Sequence, residues 1–161
     1  MKSLKNVSTL PTVLYEEASS RLATPKITAA AGELSEAANL IATRTKSFGA
    51  AVDKLARTYG KDVVEQQLHL QRVANSAIDL YAMTASVSRA SRSISRKLPS
   101  AEHERRLAHV ICKLGAKRID QNVREINRGK GHSEDKEIGK IADEVFGKKG
   151  YIPPHPVAGT Q

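Results

Sequence analysis

Apolar residues recur at helical spacing along most of this chain. From Glu33 they fall at Leu34, Ala38, Ile41, Thr45, Phe48, Val52, Leu55 and Tyr59, in steps of four and three that keep one face inward. Gly60 ends that helix, because glycine accepts the left-handed conformation of a helix terminus. A second helix is predicted from about Lys61 to Lys97. Its inward line is Val64, Leu68, Leu70, Val73, Ala77, Ile78, Tyr81, Val87 and Ile94. Between Val73 and Val87 nearly every residue is apolar or small, with Asn75 and Asp79 the polar interruptions. A helix apolar around most of its girth belongs at the centre of a bundle. Leu98-Pro99 stops it, since a residue before proline is pushed out of helical geometry. Ser100 is the predicted N-cap of a third helix, with Glu102 and Glu104 favouring its positive end. That helix turns Leu107, Val110, Ile111, Leu114, Ile119, Val123 and Ile126 inward. Arg128-Gly-Lys-Gly131 reads as a loop. Ser133 caps a short fourth helix carrying Ile138, Ile141, Ala142, Val145 and Phe146, ended by Gly147 and Gly150. Tyr151-Ile-Pro-Pro-His-Pro156 reads as extended.

No alternating run or hairpin signal stands out. The expected fold is therefore all-α, an up-and-down bundle of about four helices. A flexible N-terminal leader or linker takes residues 1–32, the bundle residues 33–150, and an extended Pro-rich tail residues 151–161. A chain of 161 residues is one domain by the usual measure. Its single cysteine, Cys112, excludes an internal disulfide framework. No run approaches the length of a membrane span. The net charge of +9 implies attraction to anions such as nucleic acid, anionic lipid, acidic proteins or phosphorylated ligands. In the leader, Lys2, Lys5, Arg21 and Lys26 stand among Ser and Thr, loosely as in a transit peptide. Glu16, Glu17 and the breaks at Pro11 and Pro25 favour a leader or linker instead.

Chemistry-bearing clusters are sparse. His103 and His109 lie six apart and point to different faces of one helix, whereas a zincin helix needs four, so they read as surface histidines and no metal site is assigned. Cys112 reads as a small buried hydrophobe, because no histidine stands at a spacing that would activate it. There is no phosphate-binding glycine loop. Asp79 is the one carboxylate in an apolar run, and Asn75 lies one turn before it; the two form a candidate polar core pair. Arg89, Arg92 and Arg96 share one helix face. Arg105 and Arg106 extend this patch as a candidate contact for an anionic surface or partner. A solvated helix end, where cations favour the dipole, accounts for the same pattern.

The same residues carry a family resemblance. Asp79-Leu-Tyr-Ala-Met83 and Ser88-Arg-Ala-Ser-Arg-Ser93 resemble the C-terminal domain of very-long-chain acyl-CoA dehydrogenase and of the related dehydrogenase-like complex I assembly factor. Glu65-Gln-Gln-Leu68, Gln71-Arg-Val-Ala-Asn75, Glu102-His-Glu104 and Gly150-Tyr-Ile-Pro-Pro-His-Pro156 fit the same pattern. The resemblance runs from about Glu33 to Pro156 and is strongest from Glu65 to Leu107. It implies a mitochondrial setting, on the matrix side of the inner membrane. It also implies that FAD, acyl-CoA and the catalytic glutamate belong to an upstream core with no counterpart here. No catalytic, cofactor-binding or metal residue is carried over. The family's membrane-active segment would correspond to Val7 to Ile27, where apolar surface is modest and Glu16-Glu17 would be repelled by anionic lipid.

The expected function is thus a non-catalytic accessory or docking domain, a fragment or a stand-alone remnant, in a fatty-acid β-oxidation or complex I assembly context. Its expected partners are a dehydrogenase core or partner subunit, the inner-membrane surface, or a second copy in a homodimer. The alternative is a basic helical nucleic-acid- or ribosome-associated protein. The chain lacks a recognisable reading motif for that role. An enzyme acting alone, with an acyl chain between the second and third helices, finds no convergent acid–base pair.

Overall fold

The computed structural model describes residues 27, 30–129, 133–150 and 152–153, Ser133 by its backbone only. Most of the leader and tail, with His132 and His155, lies outside the described residues. Four α-helices are present among the described residues: α1 Ser35–Tyr59, α2 Gln67–Ser95, α3 Ala101–Arg128 and α4 Ser133–Lys148. Short 3-10 segments, Gly32–Leu34 and Gly60–Glu65, precede α1 and α2. Among the described residues there is no strand, and no helix is long and apolar enough to cross a membrane.

The chain divides into two compact units between Asn127 and Arg128. The break falls inside the span read from sequence as one bundle. Gly129, at φ 72°, lies just beyond it. In the first unit α1 and α2 are antiparallel: Ala31 donates its N–H to Ser91 Oγ (2.9 Å) at one end, and Tyr59 meets His69 (3.3 Å) at the other. α2 and α3 are antiparallel too. Ser93 donates to Glu104 (2.6 Å), and Asp79 pairs with Arg118. α3 therefore runs parallel to α1, as Arg44–Asp120 and Lys54–Asn127 contacts show (2.7 and 3.0 Å). The second unit contains α4, none of whose described side chains is buried.

Two apolar clusters hold the first unit. The larger joins Leu34, Ala37 and Ile41 of the first strip to Met83, Val87 and Ala90 of α2 and to Ala108, Cys112, Ala116 and Ile119 of α3. The smaller gathers Ala51, Leu55, Tyr59 and Ile126, with Val63, Val73 and Val123 packed on it. Close approach of α2 and α3 depends on Gly115. A Cβ there would lie 2.7 Å from Met83 Sδ and 3.0 Å from its Cγ.

Helix ends follow the expected logic with different residues. Gly60 closes α1 at φ 54°. α2 stops at Ser95, two residues short of the expected Lys97. Lys97 takes φ 52°, its N–H bonds Ile94 O, and Leu98 N–H bonds Ser93 O, both at 3.0 Å. This is the paired turn usually completed by glycine. Lys149, not Gly147 or Gly150, takes the same position after α4 (φ 54°), and Gly147 is helical. Ser100 immediately precedes α3, yet its hydroxyl donates to Glu104 (3.1 Å).

The inward faces of α2 and α3 differ from the expected ones. Of the predicted α2 line only Val87 is buried. Leu68, Leu70, Val73 and Ile94 are half-buried, while Val64, Ala77, Ile78 and Tyr81 are exposed. In their place α2 buries His69, Ser76, Asp79, Met83, Ala90, Ser91 and Ser93. On α3, Leu107, Val110 and Leu114 are exposed, and Ala108, Cys112, Gly115 and Ala116 are buried instead. The reason is size. Closely spaced helices need small residues at the contact, and hydroxyls can be buried when they bond to a backbone carbonyl or a neighbour. Ser76 bonds Arg72 O (2.8 Å), and Ser93 bonds Glu104.

Gly115→Ala should destabilise the domain by about 1–2 kcal/mol, because Met83 must leave a well-packed rotamer. In a Met83→Ala background the clash disappears. There the same substitution should be neutral, or stabilising by up to about 1 kcal/mol through helix propensity. Urea unfolding of the four proteins, followed by helical circular dichroism, tests this reversal of sign.

Candidate functional site

The outer surface of α2 and α3 carries the features that look outward. On α2, Ile78 and Tyr81 are 64% and 78% exposed. On α3, Leu107, Val110 and Leu114 follow at steps of three and four, with 46 to 55% of each exposed. These are the residues that apolar spacing had assigned to the core. Scattered apolar residues are ordinary on a protein surface, but a helical stripe of large ones is not.

Beside Ile78 lies a shallow depression of about 380 Å³, lined by Asn75, Ile78, Asp79, Arg118, Gln121 and Asn122. Here the expected Asn75–Asp79 core pair is corrected. Asn75 is exposed, and the Asp79 carboxylate takes the guanidinium of Arg118. Arg118 Nε donates to both carboxylate oxygens (3.1 and 3.0 Å), and its Nη2 donates to Oδ1. A side chain 12% exposed thereby meets one that is 57% exposed. The bond to Asp79 raises the pKa of Arg118 above its ordinary value. The sequence alone did not point to this partner, because the register of α2 against α3 selects it: Ser93 with Glu104 gives the same index sum as Asp79 with Arg118.

The five arginines do not form one patch. Arg89 sits 3.3 Å from Glu104 while most of its surface remains exposed. Arg92 and Arg96 are exposed and have no carboxylate partner among the described residues. Arg105 forks onto Glu102 through Nε and Nη2 (2.7 and 2.8 Å), and Arg106 Nε reaches the same carboxylate (2.7 Å). Arg105 also approaches Glu33 at 3.9 Å, which places it toward the start of α1. Hydrogen bonds from Arg105 and then Arg106 lower the pKa of Glu102 from 4.5 to about 2. Glu104 is lowered first by the Ser93 hydroxyl, then by Arg89. Arg105 and Arg106 are thus engaged locally, and of the five arginines Arg92 and Arg96, at the C-terminal end of α2, are the ones without a carboxylate among the described residues.

Other candidate groups are structural in geometry. His109 is partly buried; its Nε2 lies 3.3 Å from Glu33 O and its Nδ1 3.8 Å from Glu36. His103 is exposed. His69, absent from the expected core, is buried against Tyr59 with ring centroids 5.7 Å apart. Among the described residues no three His, Cys, Asp or Glu side chains gather to hold a metal. Cys112 is fully buried, and desolvation pushes its thiol pKa up to about 11. At neutral pH it is a thiol rather than a nucleophilic thiolate.

Comparison with known proteins adds a sequence relationship. The family described as "ACAD9/ACADV, C-terminal domain" matches residues 32–151. Very long-chain specific acyl-CoA dehydrogenase, mitochondrial, from Bos taurus is 42% identical over 91 residues, covering 56% of this chain and 14% of that protein. The Mus musculus protein of the same name is 38% identical over 102 residues, covering 63% of this chain and 16% of that protein. The Homo sapiens protein is 40% identical over 91 residues, with coverages of 56% and 14%. The chain thus spans only about a seventh of the curated relatives it matches.

Two stability predictions come from this geometry. Arg118→Ala strands the nearly buried Asp79 charge and should cost about 2–3 kcal/mol. Asp79→Ala leaves Arg118 free to turn into water and should cost under about 1 kcal/mol. Denaturant titration of both variants measures the asymmetry. The second concerns acid. Glu102 and Glu104 have folded pKa values below their unfolded ones, so their stabilisation is full above pH 4.5 and fades as pH falls toward about 2. Thermal melts across that window should show falling Tm, and Glu104→Gln should flatten part of the slope.

Proposed function

Because the chain belongs to the ACAD9/ACADV C-terminal domain family, we propose that it is a non-catalytic docking domain, one that seats against the catalytic region of a very long-chain acyl-CoA dehydrogenase. The exposed Leu107–Val110–Leu114 stripe of α3 carries this reading. The chain has enough small residues to fill its interior without these three side chains. Large apolar groups left outside a closed core are what a helical domain presents to a neighbouring surface. The relatives supply the candidate neighbour, since most of each relative lies outside the matched region. In this reading flavin and acyl-CoA chemistry belongs to that other region. The setting is mitochondrial, as the relatives' names state for them.

The mechanism is burial of a narrow apolar stripe, flanked on α3 by the exposed cations Arg106, Lys113 and Lys117. Seating Leu107, Val110 and Leu114 removes three large side chains from water. Each contributes about 1 kcal/mol or more at the exposures seen here. Arg118 and Gln121 at the edge of the stripe provide donors for a polar rim. The small Ala and Gly residues beneath keep α3 rigidly placed against α2.

The test uses a very long-chain acyl-CoA dehydrogenase truncated before its own C-terminal domain. This chain should bind it with a micromolar dissociation constant in isothermal titration. Leu107→Asp and Leu114→Asp should each weaken binding at least about tenfold while leaving the helical spectrum unchanged. No heat of binding to the truncated enzyme, or binding indifferent to both substitutions, overturns the proposal.

A further inference from the structure

The outer face of α2 has a second organisation, independent of the docking stripe on α3. Gln67, Gln71, Ala74, Ile78, Tyr81, Ala85, Ser88 and Arg92 are all exposed, and they follow one another in steps of four and three throughout. That is the seam spacing of a coiled coil, turned away from the domain's own core. From Val73 to Ser88 the only charged residue on α2 is Asp79, which is nearly buried and paired with Arg118. The uncharged stretch is about 24 Å long at the helical rise. A solvent-facing surface helix normally carries charges on that face.

In size the seam is symmetric about its middle. About a two-fold axis passing between Asp79 and Leu80, Ile78 faces Tyr81, Ala74 faces Ala85, Gln71 faces Ser88 and Gln67 faces Arg92. The large residues lie at the centre and the small ones on either side. Alanines there let two helix axes come within about 8 Å. At the ends, two cations come near one carboxylate. Arg92 and Arg96 near the C-terminus of α2 come beside Gln67 and exposed Glu65 at the start of the other copy's helix. Parallel pairing would instead stack Arg89, Arg92 and Arg96 on themselves. Antiparallel helix dipoles favour the same arrangement.

We propose that the outer face of α2 pairs with the same face of a second copy of this chain, as an antiparallel helix pair centred on Ile78 and Tyr81. One helix pair four turns long gives a small interface, so the dimer is weak, with a dissociation constant in the micromolar range.

Sedimentation velocity on the whole chain, from about 1 to 200 µM, tests it. The expected result is a monomer–dimer equilibrium in that range. Ile78→Asp and Tyr81→Asp should each weaken it at least about thirtyfold. Arg57→Asp, on exposed α1 surface, should leave it unchanged. Orientation is read by cysteine pairing. A Gln71→Cys chain mixed with a Ser88→Cys chain should form a disulfide-linked pair under mild oxidant, and neither chain should do so alone. A monomer at every concentration overturns the proposal. So does a dimer that survives both aspartates, or a disulfide formed by Gln71→Cys alone. If the wild type is monomeric and Tyr81→Asp instead loses binding to the truncated dehydrogenase, the α2 seam belongs to that partner and not to a second copy. Docking through Leu107 and Leu114 can succeed or fail without changing these readings.

Discussion

Everything in the first unit is arranged around the contact between Met83 and Gly115. The sulfur of Met83 occupies the place that a β-carbon on residue 115 would need. Two long helices can come that close only where one of them has no side chain. The approach then sets what else fits between them. Alanines, a cysteine and hydroxyls fill the contact, and branched or aromatic groups are displaced to the outside. The Asp79–Arg118 pair and the Ser93–Glu104 bond stand on the two sides of this contact. They hold α2 and α3 in one register, which a sliding apolar contact alone would not fix.

That constraint explains what could be read from the sequence and what could not. The helices and their order were legible, and so was the stop at Gly60, because that residue acts locally and apolar spacing marks a helix whichever side is buried; the α2 start at Gln67 and the turns at Lys97 and Lys149 were not. The first helix was legible in the main. Leu34, Ala38, Ile41, Leu55 and Tyr59 are buried, since this helix has a clear polar side, whereas Phe48 and Val52 are half-buried and Thr45, a polar residue placed on the inward line by spacing alone, is exposed. On α2 the rule that apolar means inside had no polar side to work against. It chose Ile78 and Tyr81 over Ser76 and Met83. The choice is settled by the volume available between helices, a property of the pair that one helix's periodicity does not contain. The candidate basic site was partly legible in the same sense. Spacing put Arg89, Arg92 and Arg96 on one helix, but the capture of Arg105 and Arg106 by Glu102 depends on how side chains share one carboxylate.

The electrostatics of the domain are correspondingly divided. Acidic groups at the start of α3 are consumed by neighbours: Glu102 by two arginines, Glu104 by Ser93, Ser100 and Arg89. Glu36 meets Lys113 at 3.3 Å, and Asp120 meets Arg44. These pairs tie α1 and α2 to α3 near the surface. The strong excess of positive charge in the chain is therefore not spread evenly over the helices. Part of it is spent within the fold, and part stands at the C-terminal end of α2 beyond an uncharged face.

Cys112 has a practical consequence. It is the chain's only cysteine, and it lies at the meeting of three helices, with its sulfur 4.0 Å from Met83 O. Burial keeps its proton on. An alkylating reagent needs both access and a thiolate, so it can react only in molecules whose helices have momentarily separated. The protein thus carries its own clock. The rate at which a sample loses its thiol to the reagent follows the opening of the core, with no substitution needed to install a reporter.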